Sequence, residues 1–194
     1  VIVARNGSAI GVLGVTDRPK ADAARVVSEL RAQGVSRVAM ITGDHEAAAR
    51  AIGSELGVDE VRSGQLPEDK VRAVENLRQA HGAIAMVGDG VNDAPALAAA
   101  DVGIVMGAMG SDAALETADI ALMTDELRKV PYIIRLSRAT LANIRANVAL
   151  SIGLKAVFVF LAVAGVATLW MAVLADTGAS ALVVANAVRL RRFT

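Results

Sequence analysis

From Val148 to Val188 the sequence carries two charged residues, Lys155 and Asp176, whereas residues 1–147 are studded with Arg, Lys, Asp and Glu. An apolar stretch of that length at one end of a 194-residue chain predicts a smaller soluble domain followed by a membrane segment. Two spans fit, 148–168 and 169–188, each of about 20 residues, and at ~1.5 Å of rise per residue each crosses a hydrocarbon layer of ~30 Å. The turn around Gly165 to Trp170 is uncharged, and Arg189, Arg191 and Arg192 follow the second span. Positive-inside bias therefore predicts that both chain ends and the soluble domain are cytoplasmic. Upstream, 130–147 has helical spacing and carries Arg135, Arg138 and Arg145, which predicts a stalk helix entering the bilayer.

The first 147 residues read as alternating strands and helices. Val1 to Ala4 and Ile10 to Val15 are apolar runs around Arg5-Asn6-Gly7, a hairpin signal because Asn-Gly accepts positive φ cheaply. Helices are expected at 21–33, 45–56 and 67–80, the second stopped by Gly57 and the third opened by Pro67 with Glu68 and Asp69 in its first turn. Strands are expected at 37–41, 58–62, 83–87, 102–105 and 120–123. That alternation predicts a doubly wound parallel sheet covered on both faces, with functional loops at the C-terminal ends of its strands.

Taking Lys155, Arg189, Arg191 and Arg192 from the 20 basic residues leaves 16, and taking Asp176 from the 20 acidic ones leaves 19. A net charge of about −3 on the soluble part argues against a nucleic-acid partner, which calls for a basic stripe. The chain has no cysteine, so it holds neither a disulfide nor a thiolate metal site of its own. It opens on Val1 in a β-rich pattern without a signal peptide, and a truncated N-terminus is the expectation.

Three motifs carry chemistry. Gly88-Asp89-Gly90-Val91-Asn92-Asp93 follows a buried strand and puts two carboxylates and an amide within five residues, hard oxygen ligands suited to Mg²⁺ beside glycines that let backbone approach a phosphate. A tight turn with Asn92 or Asp93 capping the next helix is the plainer alternative. Thr42-Gly43-Asp44 offers a hydroxyl and free N–H groups at a helix start, either an anion site or an ordinary cap. Lys70 lies at the start of the next helix, where a solvated surface lysine is the default.

The order of these motifs, together with Leu66-Pro67-Glu68-Asp69-Lys70, Ala94-Pro95, Asp101-Val102-Gly103-Ile104 and Glu116-Thr117-Ala118-Asp119-Ile120, resembles the haloacid dehalogenase-like phosphotransferases, and specifically the heavy-metal branch of the P-type ATPases. The resemblance runs over essentially the whole chain. It implies an end of the nucleotide-domain hinge at 1–16, a phosphorylation domain at 17–129, the stalk at 130–147, the two spans and a cytoplasmic tail at 189–194. It also implies that Thr42, with Gly43 and Asp44, holds the phosphoryl group and that Lys70 offsets the charge of aspartate and phosphate. Asp89 would hold Mg²⁺, with Asn92 and Asp93 in support. Such charge clamps are what phosphoryl transfer chiefly requires. Asp17 falls where the family has a strand-end Asp near that hinge, and Gly107-Ala108-Met109-Gly110 resembles the family's next glycine turn.

Charge at bilayer depth costs about 2.5–3.5 kcal/mol or more, so Lys155 and Asp176 need a partner or a purpose. Lys155 lies roughly 10 Å inside the first span and can snorkel, whereas Asp176 lies near mid-membrane, with Thr177, Gly178, Ala179 and Ser180 allowing close helix contact. A Lys155–Asp176 pair that merely joins the two spans is one reading. The other makes Asp176 an ion ligand and Lys155 a counter-charge that helps release the ion. Asp176-Thr177-Gly178 with Lys155 is similar to the zinc, cadmium and lead exporters; the Met and Ser ligands of the copper branch and the His-Glu-Gly of the cobalt branch do not occur here. The six Met are scattered and read as core filler rather than a copper path.

The resemblance therefore implies ATP-driven export of Zn²⁺, Cd²⁺ or Pb²⁺ through an aspartyl-phosphate cycle, by an integral protein of a bacterial plasma membrane with ATP, Mg²⁺, the metal ion and the bilayer as partners. The family's Asp-Lys-Thr-Gly-Thr segment, with the phosphorylated Asp, is not in this sequence, nor are most of the nucleotide domain, the actuator domain and the earlier helices with their cysteine ligands. The isolated chain is expected to be inactive without that N-terminal portion, and to be poorly stable because the nucleophile's strand lies at the sheet centre. A membrane-anchored phosphatase of the same fold, or a non-catalytic metal-binding membrane protein, are the rival expectations.

Overall fold

The computed structural model describes residues 2–12, 18–107 and 116–189. The expectations for Asp17, for Ala108 to Gly110 and for the tail carrying Arg191 and Arg192 lie outside the described residues. Contacts divide the chain into two units, Val1–Pro131 and Tyr132–Thr194.

The first unit opens with the expected hairpin. Strands β1 (Ile2–Arg5) and β2 (Ser8–Val12) pair antiparallel, and Arg5 faces Ser8. Asn6 and Gly7 turn the chain at φ 50° and 81°, the pair of positive values that a two-residue turn of matching twist demands. The order then becomes α1 (Ala23–Ala32), β3 (Ala39–Ile41), α2 (Glu46–Leu56), β4 (Glu60–Arg62), α3 (Pro67–His81), β5 (Ala85–Gly88), α4 (Ala94–Ala99), β6 (Val102–Met106) and β7 (Ile120–Leu122).

All pairs among β3 to β7 are parallel, as the alternation predicts, but they form two sheets instead of one. One is β3–β4, the other β5–β6–β7, and β3 is not hydrogen-bonded to β5. Both β3 and β4 are shorter than expected, for identifiable reasons. Before β3, the Val38 carbonyl accepts the Asp59 N–H at 2.8 Å but the Val38 N–H is taken by Asp59 Oδ2 at 2.8 Å, so a side chain replaces one of the two ladder bonds there. Before β4, Gly57 (φ 69°) ends α2, and the Val58 N–H returns to the Gly53 carbonyl at 3.1 Å.

Helix packing fixes where the loops lie. Ala73, Val74 and Leu77 form the buried face of α3, Ala96 and Leu97 that of α4. Leu97 and Val105 make a buried cluster joined by Met86, Ala118 and Ala121. The helix approaches β6 so closely that a Cβ on Gly103 would stand 2.9 Å from the Leu97 carbonyl oxygen.

In the second unit, the expected stalk and first span are a single helix, α5 (Lys129–Val163), which ends short of the expected 168. Its stop is a Schellman turn: Gly165 sits at φ 72°, its N–H reaches the Ala162 carbonyl, and the Val166 N–H reaches that of Leu161. Helix α6 (Leu169–Arg189) follows. Both helices are long and apolar enough to cross a membrane. Ile152, Phe160, Val163, Trp170 and Leu174 are all more than 60% exposed, an outward apolar surface that suits lipid.

Two outcomes are expected. Leu97→Ala removes the largest fully buried side chain of the α4 packing and should destabilise by about 2–5 kcal/mol, while Gly103→Ala overpacks the same seam at about 1–3 kcal/mol; the urea midpoint of the chain in detergent reads both. The second outcome concerns acid. The Val38 N–H, and then Arg31 at 2.8 Å, hold the Asp59 carboxyl below its ordinary range, and Arg128 does the same for Glu126. A depressed carboxylate stabilises above its unfolded pKa, and that contribution disappears as pH falls through the depressed folded value. Asp59→Asn should therefore lower stability at neutral pH and flatten the acid limb below the usual carboxylate range.

Candidate functional site

Parallel strands put the loops after β3 and β5 at the same kind of edge, their C-terminal ends. Thr42 continues the β3–β4 ladder by one residue, its N–H donating to the Arg62 carbonyl at 2.9 Å. Its hydroxyl donates to Asp44 Oδ2 at 3.0 Å and accepts the Asp44 N–H at 3.1 Å. Two backbone bonds from the next crossover, Gln65 N–H to the Thr42 carbonyl and Gly64 N–H to that of Asp44, hold this loop against the entry to α3. The cap position of α2 is His45, which makes no side-chain capping bond. An ordinary helix cap is therefore not what Thr42 or Asp44 supplies here.

Lys70 is not a solvated surface lysine either. Its Nζ lies 2.5 Å from Asp93 Oδ1, with the two side chains only 16% and 17% exposed. Pro67 starts the helix beneath it, and Asp69 Oδ2 accepts the Leu66 N–H at 3.3 Å, so the first turn that presents Lys70 is fixed at its origin. Asp93 occupies the cap position of α4 but makes no side-chain capping bond; its carboxylate is turned to the lysine instead. That rotamer requires a small strand end, because a Cβ on Gly88 would stand 3.1 Å from Asp93 Oδ2.

Asp89 is the exposed member of the group. Its Oδ1 accepts the Val91 N–H at 3.0 Å, and Gly90 follows at φ 77° in a tight loop. Asn92 is exposed beside it. The structure thus joins Lys70 to Asp93 and keeps Asp89 in the same six-residue loop. Thr42 is linked to them only through the Gln65 crossover, with no direct hydrogen bond to Lys70, Asp89 or Asp93 among the described residues.

Two neighbouring carboxylates are what Mg²⁺ accepts when phosphate oxygens and water complete its octahedron. No group of three His, Asp or Glu converges among the described residues, so a closed, protein-only metal cage is not what this loop offers. Asp89, with Asp93 and Asn92 in reach along the same loop, fits a phosphate-bound Mg²⁺.

The helical unit holds the second constellation. Lys155 and Asp176 line one groove between α5 and α6, with Ser151, Phe158, Ala175 and Ala179. No direct ion pair joins them among the described residues, so the simple pairing expectation is not met. At one end of the same helix pair, three asparagines that the sequence reading passed over hydrogen-bond one another. Asn147 Nδ2 donates to Asn143 Oδ1 at 2.8 Å; Asn186 Nδ2 donates to Asn147 Oδ1 at 2.7 Å and Asn143 Oδ1 at 3.3 Å; Asn143 Nδ2 donates to the Asn186 carbonyl at 2.9 Å. The i, i+4 spacing of Asn143 and Asn147, which puts them on one helix face, was the available signal.

Comparison with known proteins identifies the family. The family model for haloacid dehalogenase-like hydrolases matches residues 1–101. The chain is 54% identical, over 99% of its length, to the zinc/cadmium/lead-transporting P-type ATPase of Escherichia coli (strain K12), and covers 26% of that protein. It is 44% identical to a cadmium-transporting ATPase of Staphylococcus aureus, again over 99% of itself and 26% of the relative. Among solved structures, a zinc-transporting PIB-type ATPase in its E2.Pi state superposes with a TM-score of 0.85 at 53% identity, covering 98% of this chain and 31% of the other. The chain thus spans about a quarter of the length of the curated relatives it matches. With the parallel α/β fold, the Asp89–Asp93 loop and the two apolar helices in view, the chain belongs to the haloacid dehalogenase-like hydrolase family, and its homologues over nearly its whole length are heavy-metal-transporting P-type ATPases.

Proposed function

We propose that this chain works as part of an ATP-driven exporter of divalent heavy metal, supplying the Mg²⁺- and phosphate-handling edge of the phosphorylation domain and one carboxylate of the transport site. The observation that carries this is the Lys70–Asp93 contact beside Asp89: an ammonium and two carboxylates at a strand end, arranged as charge control for a phosphoryl group. Thr42 and Gly43 would cradle the phosphoryl group with Asp44 orienting the hydroxyl, and Asp89 would hold Mg²⁺ with help from Asn92 and Asp93. When bound, Mg²⁺ would supply charge neutralisation for the phosphoryl group; Lys70, already in a mostly buried pair with Asp93, would add its own positive charge there.

In such a cycle the phosphorylated aspartate would be supplied from outside these 194 residues. That β3 and β5 belong to two separate parallel sheets leaves room for the strand carrying that residue to join them. Asp176 in the groove would bind Zn²⁺, Cd²⁺ or Pb²⁺ as cargo, and Lys155 would weaken that binding when the ion must leave. The identity to metal-transporting relatives extends over the helical unit as well as the α/β unit, which favours a pump over an anchored phosphatase or a non-catalytic metal-binding protein. We place the protein in a bacterial plasma membrane, with the α/β unit and both chain ends on the cytoplasmic side.

In the full-length protein, Asp89→Asn should cut Mg²⁺-dependent phosphorylation by ATP by about 10²–10³-fold, as removal of a preorganised charge group does elsewhere. Retention of normal phosphoenzyme levels in that variant would refute the assignment. Asp176→Ala should abolish stimulation of ATP hydrolysis by Zn²⁺, Cd²⁺ and Pb²⁺ while leaving phosphorylation by inorganic phosphate in place. The 194-residue chain alone should show no Mg²⁺-dependent ATP hydrolysis above background.

A further inference from the structure

The three asparagines make the hydrogen bonds that join α5 to α6. Apart from Lys155, Asp176 and Phe158, the groove is lined by small or aliphatic side chains such as Ser151, Ala175 and Ala179, and no hydrogen bond crosses it there among the described residues. Small residues permit close approach but distinguish poorly between one helical turn and the next. A single polar contact in an apolar helix interface is the known device for specifying register, at some cost in stability.

The contact here is reciprocal. Asn143 donates to the Asn186 backbone carbonyl and accepts from the Asn186 amide, so axial position and rotation are both constrained. Asn147, one turn along α5, closes the group.

Position numbers show what this register sets. Position 145 is midway between Asn143 and Asn147, and Lys155 lies ten residues further along α5; Asp176 lies ten residues before Asn186 on the antiparallel α6. At ~1.5 Å per residue both charges stand about 15 Å from the asparagines, hence at one depth, which corrects the expectation of a shallow Lys155 and a deeper Asp176. A slip of one turn would separate them by about 5.4 Å.

We propose that Asn143, Asn147 and Asn186 are positioning residues: a hydrogen-bonded register lock that holds Asp176 level with Lys155 and thereby sets the metal affinity of the groove. The functional half of this rests on the exporter reading above; the structural half does not. Because the chain lacks cysteine, Ser151→Cys with Ser180→Cys, which lie level by the same count, gives an unambiguous cross-linking pair in vesicles of bacterial phospholipid.

With the asparagines intact, that pair should form a disulfide in clear preference to Ser151→Cys with Val184→Cys, one turn away. Adding Asn186→Leu, a substitution that lipid-facing helices tolerate, should erase the preference. In the full-length protein, Asn186→Leu should raise the Zn²⁺ concentration for half-maximal ATP hydrolysis by about fivefold to tenfold, with phosphorylation by inorganic phosphate unchanged. Asn147→Leu, which leaves the Asn143–Asn186 pair in place, should have a smaller effect.

An unchanged cross-linking preference in Asn186→Leu overturns the lock. So does a loss of maximal rate with no change in Zn²⁺ dependence, which is what a purely structural role gives. Absence of any metal-stimulated hydrolysis in the unsubstituted full-length protein would instead sink the exporter reading, with the cross-linking result still deciding whether the lock exists.

Discussion

The seam between α3 and α4 holds together two sheets that share no hydrogen-bonded strand. Ala73, Val74 and Leu77 on one side and Ala96 and Leu97 on the other bury its apolar length, and the Arg78 guanidinium reaches the Ala99 carbonyl at its far end. The Lys70–Asp93 pair closes it at the site end, with both groups mostly out of water. Taking such a pair out of solvent costs several kcal/mol per ion in desolvation, and only a close partner compensates. One contact thus serves two ends: it ties the halves of the α/β unit and it keeps an ammonium and a carboxylate at the strand edge where a phosphate would meet them.

Much of this was legible in the sequence where a residue's local chemistry dictates its backbone. Asn6-Gly7 fixed the hairpin, Gly57 the end of α2, Pro67 the start of α3, and the short apolar runs the parallel strands. What resisted reading were competitions between backbone and side-chain partners. Asp59 capping Val38 shortened β3, and the Gly165 turn ended α5 five residues before the expected limit. The expected stalk and first span run as one helix because nothing between a charged and an apolar helical segment interrupts the i to i+4 ladder; the change at 147 is one of solvent, not of backbone.

For the candidate site, residue type and order singled out Thr42, Lys70, Asp89 and Asp93, but not their partners. Whether Lys70 faces water or Asp93 depends on the angle at which α3 meets the β5 loop, a tertiary quantity with no local signature. The asparagines were harder still. Asn143 and Asn147 look like polar residues of a stalk and Asn186 like an interfacial one, and only the pairing of two helices reveals that they meet.

The outward position of Trp170 has a practical consequence. It is the chain's single tryptophan, 76% exposed at the start of α6 and next to the turn that joins the two apolar helices. Indole rings settle at the boundary between headgroups and acyl chains. The α/β unit contributes no indole, so the tryptophan emission of the chain, excited selectively beyond the tyrosine band, comes from one known place. Its wavelength, and its quenching by brominated lipids of known depth, would report directly on how the hairpin turn sits in a bilayer, without a label or a substitution.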